Sequence, residues 1–237
     1  ALGGGGGAQV GGLLSIAKGD YYGAQVAAAN IAAGSLIGAQ AGAFNYASYI
    51  GGPQLGLVNV LDEGFAVQVG LVNACDDLRG VQIGLINVAK RVDGIALGLL
   101  SVEKGGILDA QAWWSSDSTV NAAFMAGTRA TYTIASIGWD THTTQDPLSM
   151  GLGVGWRAQI GTNYLGSDLS WRIVDAFGPS AYSVLRLRVL AGLRASGPGL
   201  ILGCSVDTLL PGLSRDGSGS IVSRLGFEPL LVVGIHL

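Results

Sequence analysis

The chain has 237 residues, of which 40 are glycine, 49% are hydrophobic and only 12% are charged, with a net charge of −3 and a mean hydropathy of +0.46. The slightly negative charge and the lack of a basic cluster exclude a typical nucleic-acid-binding protein. Glycine and polar residues interrupt every apolar stretch before it reaches the roughly 18 residues of a transmembrane helix. A soluble domain usually carries about 25% charged residues, so this chain is unusually apolar.

The first hundred residues contain seven approximate copies of one phrase, Gly-x-Gln-apolar-Gly-Leu-apolar-Asn. Its central positions, separated by 16, 15, 14, 14, 14 and 14 residues, are Gln9, Gln25, Gln40, Gln54, Gln68, Gln82 and Ala96. In five copies an asparagine comes five residues later, at Asn30, Asn45, Asn59, Asn73 and Asn87; the last copy has Ser101 there, and the first copy has Ser15 six residues after Gln9. A constant step indicates a small unit stacked on copies of itself, and this composition is typical of strands. We therefore predict a flexible glycine-rich leader at residues 1–6 and seven β repeats at residues 7–106.

One arrangement of the repeats is a parallel β-solenoid in which each 14-residue unit is one coil. Glutamine would then stack on glutamine and asparagine on asparagine, so that each amide satisfies the hydrogen bonds of its neighbour. Asn87 would occupy a bend, and the inward side chains would be Val81, Ile83, Ile86 and Val88. The uniform connection length favours this arrangement, because an up-and-down barrel alternates short and long turns.

The alternative is that each repeat is one strand of a barrel, so that the repeats and the later strands form a single larger barrel. Val81, Ile83 and Leu85 would then face lipid. Gln82 and Gly84 would face the lumen. The alternation fails after Leu85, and a β-bulge would be needed to restore it.

Residues 107–237 have the pattern of long antiparallel strands. From Leu148 to Gly161, apolar residues alternate without a break with small or polar ones, with Trp156 on the apolar face and Arg157 on the polar face. We count about eight candidate strands after Val102. Their length and low charge predict an antiparallel outer-membrane-type β-barrel with its apolar face toward lipid. A soluble sandwich is the alternative, although its strands would be only about 5 or 6 residues long.

The polar faces of these strands carry charged residues that would line the interior of such a barrel. They are Arg157, Arg172, Arg186, Arg188, Arg194, Asp168 and Asp207. In a barrel of about eight strands the interior has room only for side chains, so ion pairs would close it. In a single larger barrel the same residues would line a pore that selects anions. The pattern therefore favours a structural or protein-interaction role, with a porin-like channel as the alternative.

Two phrases resemble the surface-repeat family of bacterial outer-membrane proteins: Gly80-Val-Gln-Ile-Gly-Leu-Ile-Asn87 and Ile95-Ala-Leu-Gly-Leu-Leu-Ser-Val-Glu-Lys-Gly-Gly106. Members of that family have tandem Gly-Val-Gln-Ile-Gly-Leu-Ile-Asn units, a Lys-Gly-Gly junction and a barrel-like meander. The 14-residue spacing is also similar to the coils of trimeric autotransporter adhesin heads. The resemblance implies a location in the bacterial outer membrane, reached after removal of a signal peptide. Outer-membrane lipid is the expected partner, together with copies of the chain or another envelope protein.

Catalytic residues cannot be assembled from this sequence, and we predict a non-enzymatic protein without metal or cofactor. His142 lies between Asp140 and Asp146, but one histidine with scattered carboxylates lacks a defined ligand spacing, so we interpret the segment as a polar loop. Cys75 and Cys204 are expected to be free thiols, because two isolated cysteines do not make a disulfide framework.

Overall fold

The computed structural model describes residues 5–116, 119–142, 147–177, 181–193, 199–209 and 228–236. The chain divides into two compact units, residues 1–107 with 127–131 and residues 108–126 with 132–237. The described residues form β-strands joined by turns and loops, so the predicted all-β class is confirmed. In this part of the chain, no helix has the length and apolar character needed to cross a membrane.

The described residues of the first unit contain nine strands: β1 (Gly5–Val10), β2 (Leu14–Ala17), β3 (Tyr21–Val26), β4 (Ala29–Ala41), β5 (Phe44–Leu55), β6 (Val58–Val69), β7 (Val72–Ile83), β8 (Ile86–Leu97) and β9 (Leu100–Glu103). They form one parallel sheet in the order β1-β3-β4-β5-β6-β7-β8-β9, with β2 paired to β4. Parallel pairing of successive repeats confirms the solenoid. The alternative, in which the repeats are strands of a single larger barrel, is wrong.

The coils pair in register at every copy of the repeat. β6 and β7 align Asn59 with Asn73 and Gln68 with Gln82, an offset of 14 residues. In the four most regular coils the chain reverses at a Gly-Leu turn such as Gly70–Leu71, whereas two earlier coils reverse at Ala27–Ala28 and Gly42–Ala43. At the other side, two consecutive outward residues, such as Asp62 and Glu63 in β6, mark a bend within the strand. The first coil starts inside the predicted leader, because β1 begins at Gly5.

The interior of the solenoid differs from the prediction. Gln82 and Asn87 are buried, and the asparagine does not lie at an exposed bend. The apolar residues predicted to point inward are instead exposed or half-buried: Val81, Ile83, Ile86 and Val88. Their predicted orientation is wrong because the amide side chains reach their hydrogen-bond partners only from inside the coil.

The first glycine of the repeat phrase allows the coils to approach closely. Gly38, Gly52, Gly80 and Gly94 have φ angles between +145° and +152°, a region that other L residues rarely adopt. A Cβ atom at Gly80 would overlap the carbonyl oxygen of Ala66 in the preceding coil. Glycine avoids this overlap in six of the seven copies, and Ala66 occupies the position in the remaining one.

The described residues of the second unit contain eight strands: β10 (Leu108–Ser115), β11 (Thr119–Gly127), β12 (Thr131–Asp140), β13 (Leu148–Ile160), β14 (Asn163–Val174), β15 (Tyr182–Leu193), β16 (Gly199–Leu209) and β17 (Glu228–His236). Each strand pairs with the next, and β17 pairs with β10, so that the sheet closes into a barrel. The predicted antiparallel meander is confirmed.

The barrel is apolar outside and polar inside. The following outward side chains are between 40% and 49% exposed: Met150, Leu152, Val154, Trp156, Leu165, Leu169, Trp171, Leu187, Val189, Leu200 and Leu202. The alternate positions of the same strands point into the interior, where Arg186 and Arg188 are each 1% exposed. Strand alternation thus separates an apolar outer surface from a charged interior.

Candidate functional site

The interior of the barrel is the main cluster of charged side chains in the second unit. The arginines predicted from β13, β14 and β15 are buried there, namely Arg157, Arg172, Arg186 and Arg188. Asp168 is 2% exposed, and Asp207 is half-buried. Arg194 lies outside the described residues. We call this group, together with the residues that bond to it, the luminal network.

Two arginines of the luminal network form two-point ion pairs with aspartates on neighbouring strands. Arg188 donates from Nε to Asp168 Oδ1 at 2.9 Å and from Nη2 to Oδ2 at 2.8 Å. Arg186 makes the same contacts to Asp207 at 2.6 and 2.7 Å. In both pairs the two residues are directly opposite each other in the sheet. Such two-point contacts hold the arginine side chain in one orientation.

A third ion pair crosses a long stretch of sequence. Arg157 Nη2 donates to Asp109 Oδ2 at 2.9 Å, although the two residues are 48 positions apart. The Arg157 guanidinium also lies 3.9 Å from the centroid of the Tyr164 ring. The cation is therefore held by a carboxylate and an aromatic face together.

Aromatic and neutral side chains complete the network. The Arg188 guanidinium stacks 4.1 Å from the Trp113 ring centroid, and Tyr132 donates its hydroxyl hydrogen to Asp168 at 3.2 Å. Arg172 donates to Asn121 Oδ1 at 3.1 Å and to Ser149 Oγ at 2.6 Å. Side chains from seven of the eight strands, β10 to β16, thus meet inside the barrel and fill its interior.

The sequence predicted the charged members of this network from β13 to β16 but not Ser149 and Tyr164, nor the members from β10 to β12. Asp109 and Gln111 alternate with outward residues in β10, and this spacing could have revealed them. Trp113 and Trp114 are adjacent and must point to opposite faces of the strand, but because they are identical the residue types do not indicate which one points inward. β12 has three consecutive buried residues, Tyr132 to Ile134, which break the simple alternation.

In the solenoid, the predicted glutamines and asparagines form two buried ladders. Asn45 donates to Asn59 Oδ1 at 2.8 Å, and Asn59 donates to Asn73 Oδ1 at the same distance. In the second ladder, Gln68 donates to Gln54 Oε1 at 2.8 Å. The ladders contain all the predicted residues, Asn30, Asn45, Asn59, Asn73 and Asn87 and Gln25, Gln40, Gln54, Gln68 and Gln82, and Gln9 extends the glutamine ladder by accepting from Gln25. The asparagines donate toward the following coil and the glutamines toward the preceding one.

The remaining reactive side chains lie apart from one another. His142 is exposed, and its backbone N–H donates to Asp140 Oδ1 at 2.8 Å. Cys75 is buried in the solenoid and Cys204 is exposed, and both are free thiols. Among the described residues, no group of three or more His, Cys, Asp and Glu side chains has a geometry that could hold a metal ion.

Comparison of the chain with protein-family models, curated proteins and solved structures finds no match. The likeness to bacterial surface-repeat proteins therefore remains a prediction from the repeat phrases.

Proposed function

We propose that the protein is a non-enzymatic structural or protein-interaction component of the bacterial outer membrane, anchored by the eight-stranded barrel. The supporting observation is the distribution of polarity in that barrel. Three arginine–aspartate pairs lie on the inside, with only Asp207 half-buried, while leucine, valine and tryptophan cover the outside. A barrel in water would present charged residues to the solvent, whereas a barrel in lipid presents an apolar band.

Three of the four outward tryptophans lie where an interfacial girdle would place them, and the fourth, Trp156, lies within β13. Trp114, Trp139 and Trp171 are outward and are near the ends of β10, β12 and β14. These strands run in the same direction, so the three indoles lie toward one end of the barrel. Outer-membrane barrels carry aromatic girdles at such levels, because the amphipathic ring suits the boundary between lipid and water.

The lengths of the connections support the same location. At the end with the three tryptophans, the connections comprise residues 116–118, 141–147, 175–181 and 210–227. At the opposite end they comprise only residues 128–130, 161–162 and 194–198. Outer-membrane barrels have short periplasmic turns and longer extracellular loops. The tryptophan end would therefore face the cell exterior.

The filled interior favours a structural anchor over a porin-like channel. One arginine–aspartate pair crosses the interior of the eight-stranded barrel and two join neighbouring strands, and an interior of this size is only wide enough for side chains. The anion-selective pore suggested by the arginines required a larger barrel, which the parallel pairing of the repeats excludes. The protein would thus hold its repeat solenoid at the envelope, for contact with another envelope component.

The membrane location can be tested by producing the full chain in a Gram-negative host with an export signal. We expect the protein to enter the outer-membrane fraction and to resist extraction by carbonate. We also expect faster migration in gel electrophoresis before boiling than after it, because a closed barrel remains compact in detergent. Recovery in the soluble fraction without detergent would contradict the proposal.

The absence of conduction can be tested in a planar bilayer with refolded protein shown to be inserted. We expect no steady current steps from the natural chain. The matched variant replaces Arg186 and Asp207 together by alanine, which removes one ion pair from the interior while leaving the outer face unchanged. Steady steps from the natural chain that increase with salt concentration would instead support the porin-like alternative.

A further inference from the structure

The solenoid has two opposite edges of different polarity. One edge is formed by the Gly-Leu turns, and we call it the Gly-Leu edge. In each of the four most regular coils it comprises the leucine of the turn and the apolar residues immediately before and after the turn. These residues are Leu55, Leu57, Val58, Val69, Leu71, Val72, Ile83, Leu85, Ile86, Leu97, Leu99 and Leu100. The bends at the other side form the charged edge, which consists of Asp62, Glu63, Asp76, Asp77, Lys90 and Arg91. Leu85 is 54% exposed and Leu99 is 60% exposed. Residues 80–88 and 94–102 contain no charged residue.

Inside the solenoid the distribution is reversed: polar side chains lie beneath the apolar edge, and apolar side chains lie nearer the charged edge. Beneath the Gly-Leu edge lie the asparagine and glutamine ladders, as shown by Gly84, where an added Cβ would approach the amides of Asn73 and Asn87. Nearer the charged edge the interior is apolar and includes Leu61 and Leu78. The half of each coil next to the charged edge is therefore built like a protein in water. The half next to the Gly-Leu edge is built like a protein in lipid.

Backbone groups around the Gly-Leu turns are hydrogen-bonded within the protein. The N–H of Gly84 donates to the carbonyl of Leu97 at 3.0 Å, and the N–H of Leu85 donates to the carbonyl of Leu71 at 2.9 Å. The carbonyl of Ile83 accepts from Asn73 Nδ2 at 2.9 Å. Exposed turns in water can leave such groups to the solvent, whereas hydrocarbon offers them no partner. The buried amides thus supply what water would otherwise supply.

The shape of the apolar surface indicates which partner covers it. Apolar side chains project from both flanks of the edge, as Ile83 and Ile86 do, and from its tip, as Leu85 does. A second copy of the chain could cover one flat flank but not both flanks and the tip. Fluid acyl chains can surround all three. We propose that the Gly-Leu edge of the solenoid is inserted into the hydrocarbon of a lipid bilayer, with the charged edge in water.

This inference rests on the proposed membrane location, and one experiment can separate the two. In the full chain with Cys75→Ala and Cys204→Ala, single cysteines are introduced as Leu85→Cys at the Gly-Leu edge, Lys90→Cys at the charged edge and Leu187→Cys on the barrel exterior. Each variant is labelled with an environment-sensitive fluorophore and reconstituted in phosphatidylcholine vesicles. Quenching is measured with brominated acyl chains and with aqueous iodide. Leu71→Cys provides a second position on the edge if Leu85→Cys does not fold.

We expect brominated lipid to quench the label at Leu85 as strongly as at Leu187, with iodide acting only at Lys90. If iodide quenches the label at Leu85 while lipid quenches at Leu187, the edge lies in water and the inference fails, but the membrane location stands. If the label at Leu85 is shielded from both quenchers, a protein surface covers the edge, and this also overturns the inference. If lipid quenches neither the label at Leu85 nor the label at Leu187, both the inference and the membrane location are wrong.

Discussion

The solenoid and the barrel both bury polar side chains, but they use different chemistry to do so. The solenoid buries neutral amides, each bonded to an identical residue 14 or 15 positions away, as Asn45 is to Asn59 and Gln40 is to Gln25. The barrel buries charges, each bonded to an unlike residue on another strand, as Arg188 is to Asp168.

The difference follows from the topology of the two sheets. In-register parallel stacking places a residue above its own copy, and an amide suits this position because it both donates and accepts. A stack of identical charges would repel. An antiparallel meander instead brings unlike residues together, so arginine and aspartate can neutralise each other. The direction of strand pairing therefore determines which polar side chains can be buried: identical amides in the parallel solenoid and oppositely charged residues in the antiparallel barrel.

The largest expected effect comes from breaking a charged pair in the barrel. Asp168→Asn leaves the Arg188 guanidinium buried without its carboxylate, and removing one partner of a buried pair costs about 4 kcal/mol. We expect this loss of unfolding free energy in urea titrations of detergent-refolded protein, followed by tryptophan fluorescence.

The control for this variant replaces both partners, Asp168→Leu with Arg188→Met. We expect the double variant to recover most of the lost stability, because no unpaired charge is left inside the barrel. Equal losses in the single and double variants would show that packing, rather than charge pairing, determines the effect.

Interrupting an amide ladder tests how much the uncharged hydrogen bonds inside the solenoid contribute to its stability. Asn73→Ala removes the acceptor of Asn59 and the donor to Asn87 and Ile83, which leaves buried polar groups unsatisfied at a cost of about 3 kcal/mol in total. Hydrogen–deuterium exchange of peptides from the repeats should show faster exchange on both sides of the substitution.

Asn30→Ala is the matched control, because Asn30 is the first member of the ladder and bonds to only one following asparagine. A smaller effect is expected there. If the substitutions of Asn30 and Asn73 increase hydrogen exchange equally, the hydrogen bonds between neighbouring asparagines add nothing to the stability of the solenoid.

A backbone substitution probes the close approach of the coils. Gly80→Ala introduces a Cβ at φ +145°, where it meets the carbonyl oxygen of Ala66, and we expect a loss of about 2 kcal/mol. Thermal unfolding monitored by circular dichroism gives the measurement. Gly161→Ala in a barrel turn is the control, since no atom lies within 4 Å of its added Cβ and only the φ angle of +64° is unfavourable. An equal loss of stability at both positions would show that the φ angle alone, and not the close contact between coils, causes the effect.

The smallest effect concerns reactivity rather than stability. Burial raises the pKa of the Cys75 thiol to about 12, and the nearby charges of Asp76 and Asp77 act in the same direction. Little thiolate therefore forms near pH 8, so Cys75 should react with a small maleimide far more slowly than the exposed Cys204 in detergent. Urea should remove the difference. Rapid labelling of Cys75 in the folded protein would contradict the burial of this thiol in the solenoid.

Much of the architecture could be predicted, because the relevant signals are local. The constant step between Gln54, Gln68 and Gln82 predicts in-register coils, and the alternation around Trp156 and Arg157 separates the two faces of a barrel strand. The pairing of Arg157 with Asp109 could not be predicted in this way. It depends on how strands 48 residues apart meet across the closed barrel, and local alternation contains no such information.

The sequence by itself determined the repeat period, the strand class and the presence of two chemically distinct faces in every strand. Only the tertiary structure decided which face of the repeats lies inside. An alternating pattern defines two sides equally well, and the usual rule that apolar residues are buried assigns Ile83 and Val88 to the wrong one. The amides of Gln82 and Asn87 lie inside because stacked coils bring them within hydrogen-bonding distance of neighbouring amides or hydroxyls and turn carbonyls, and these partners exist only once the coils are assembled.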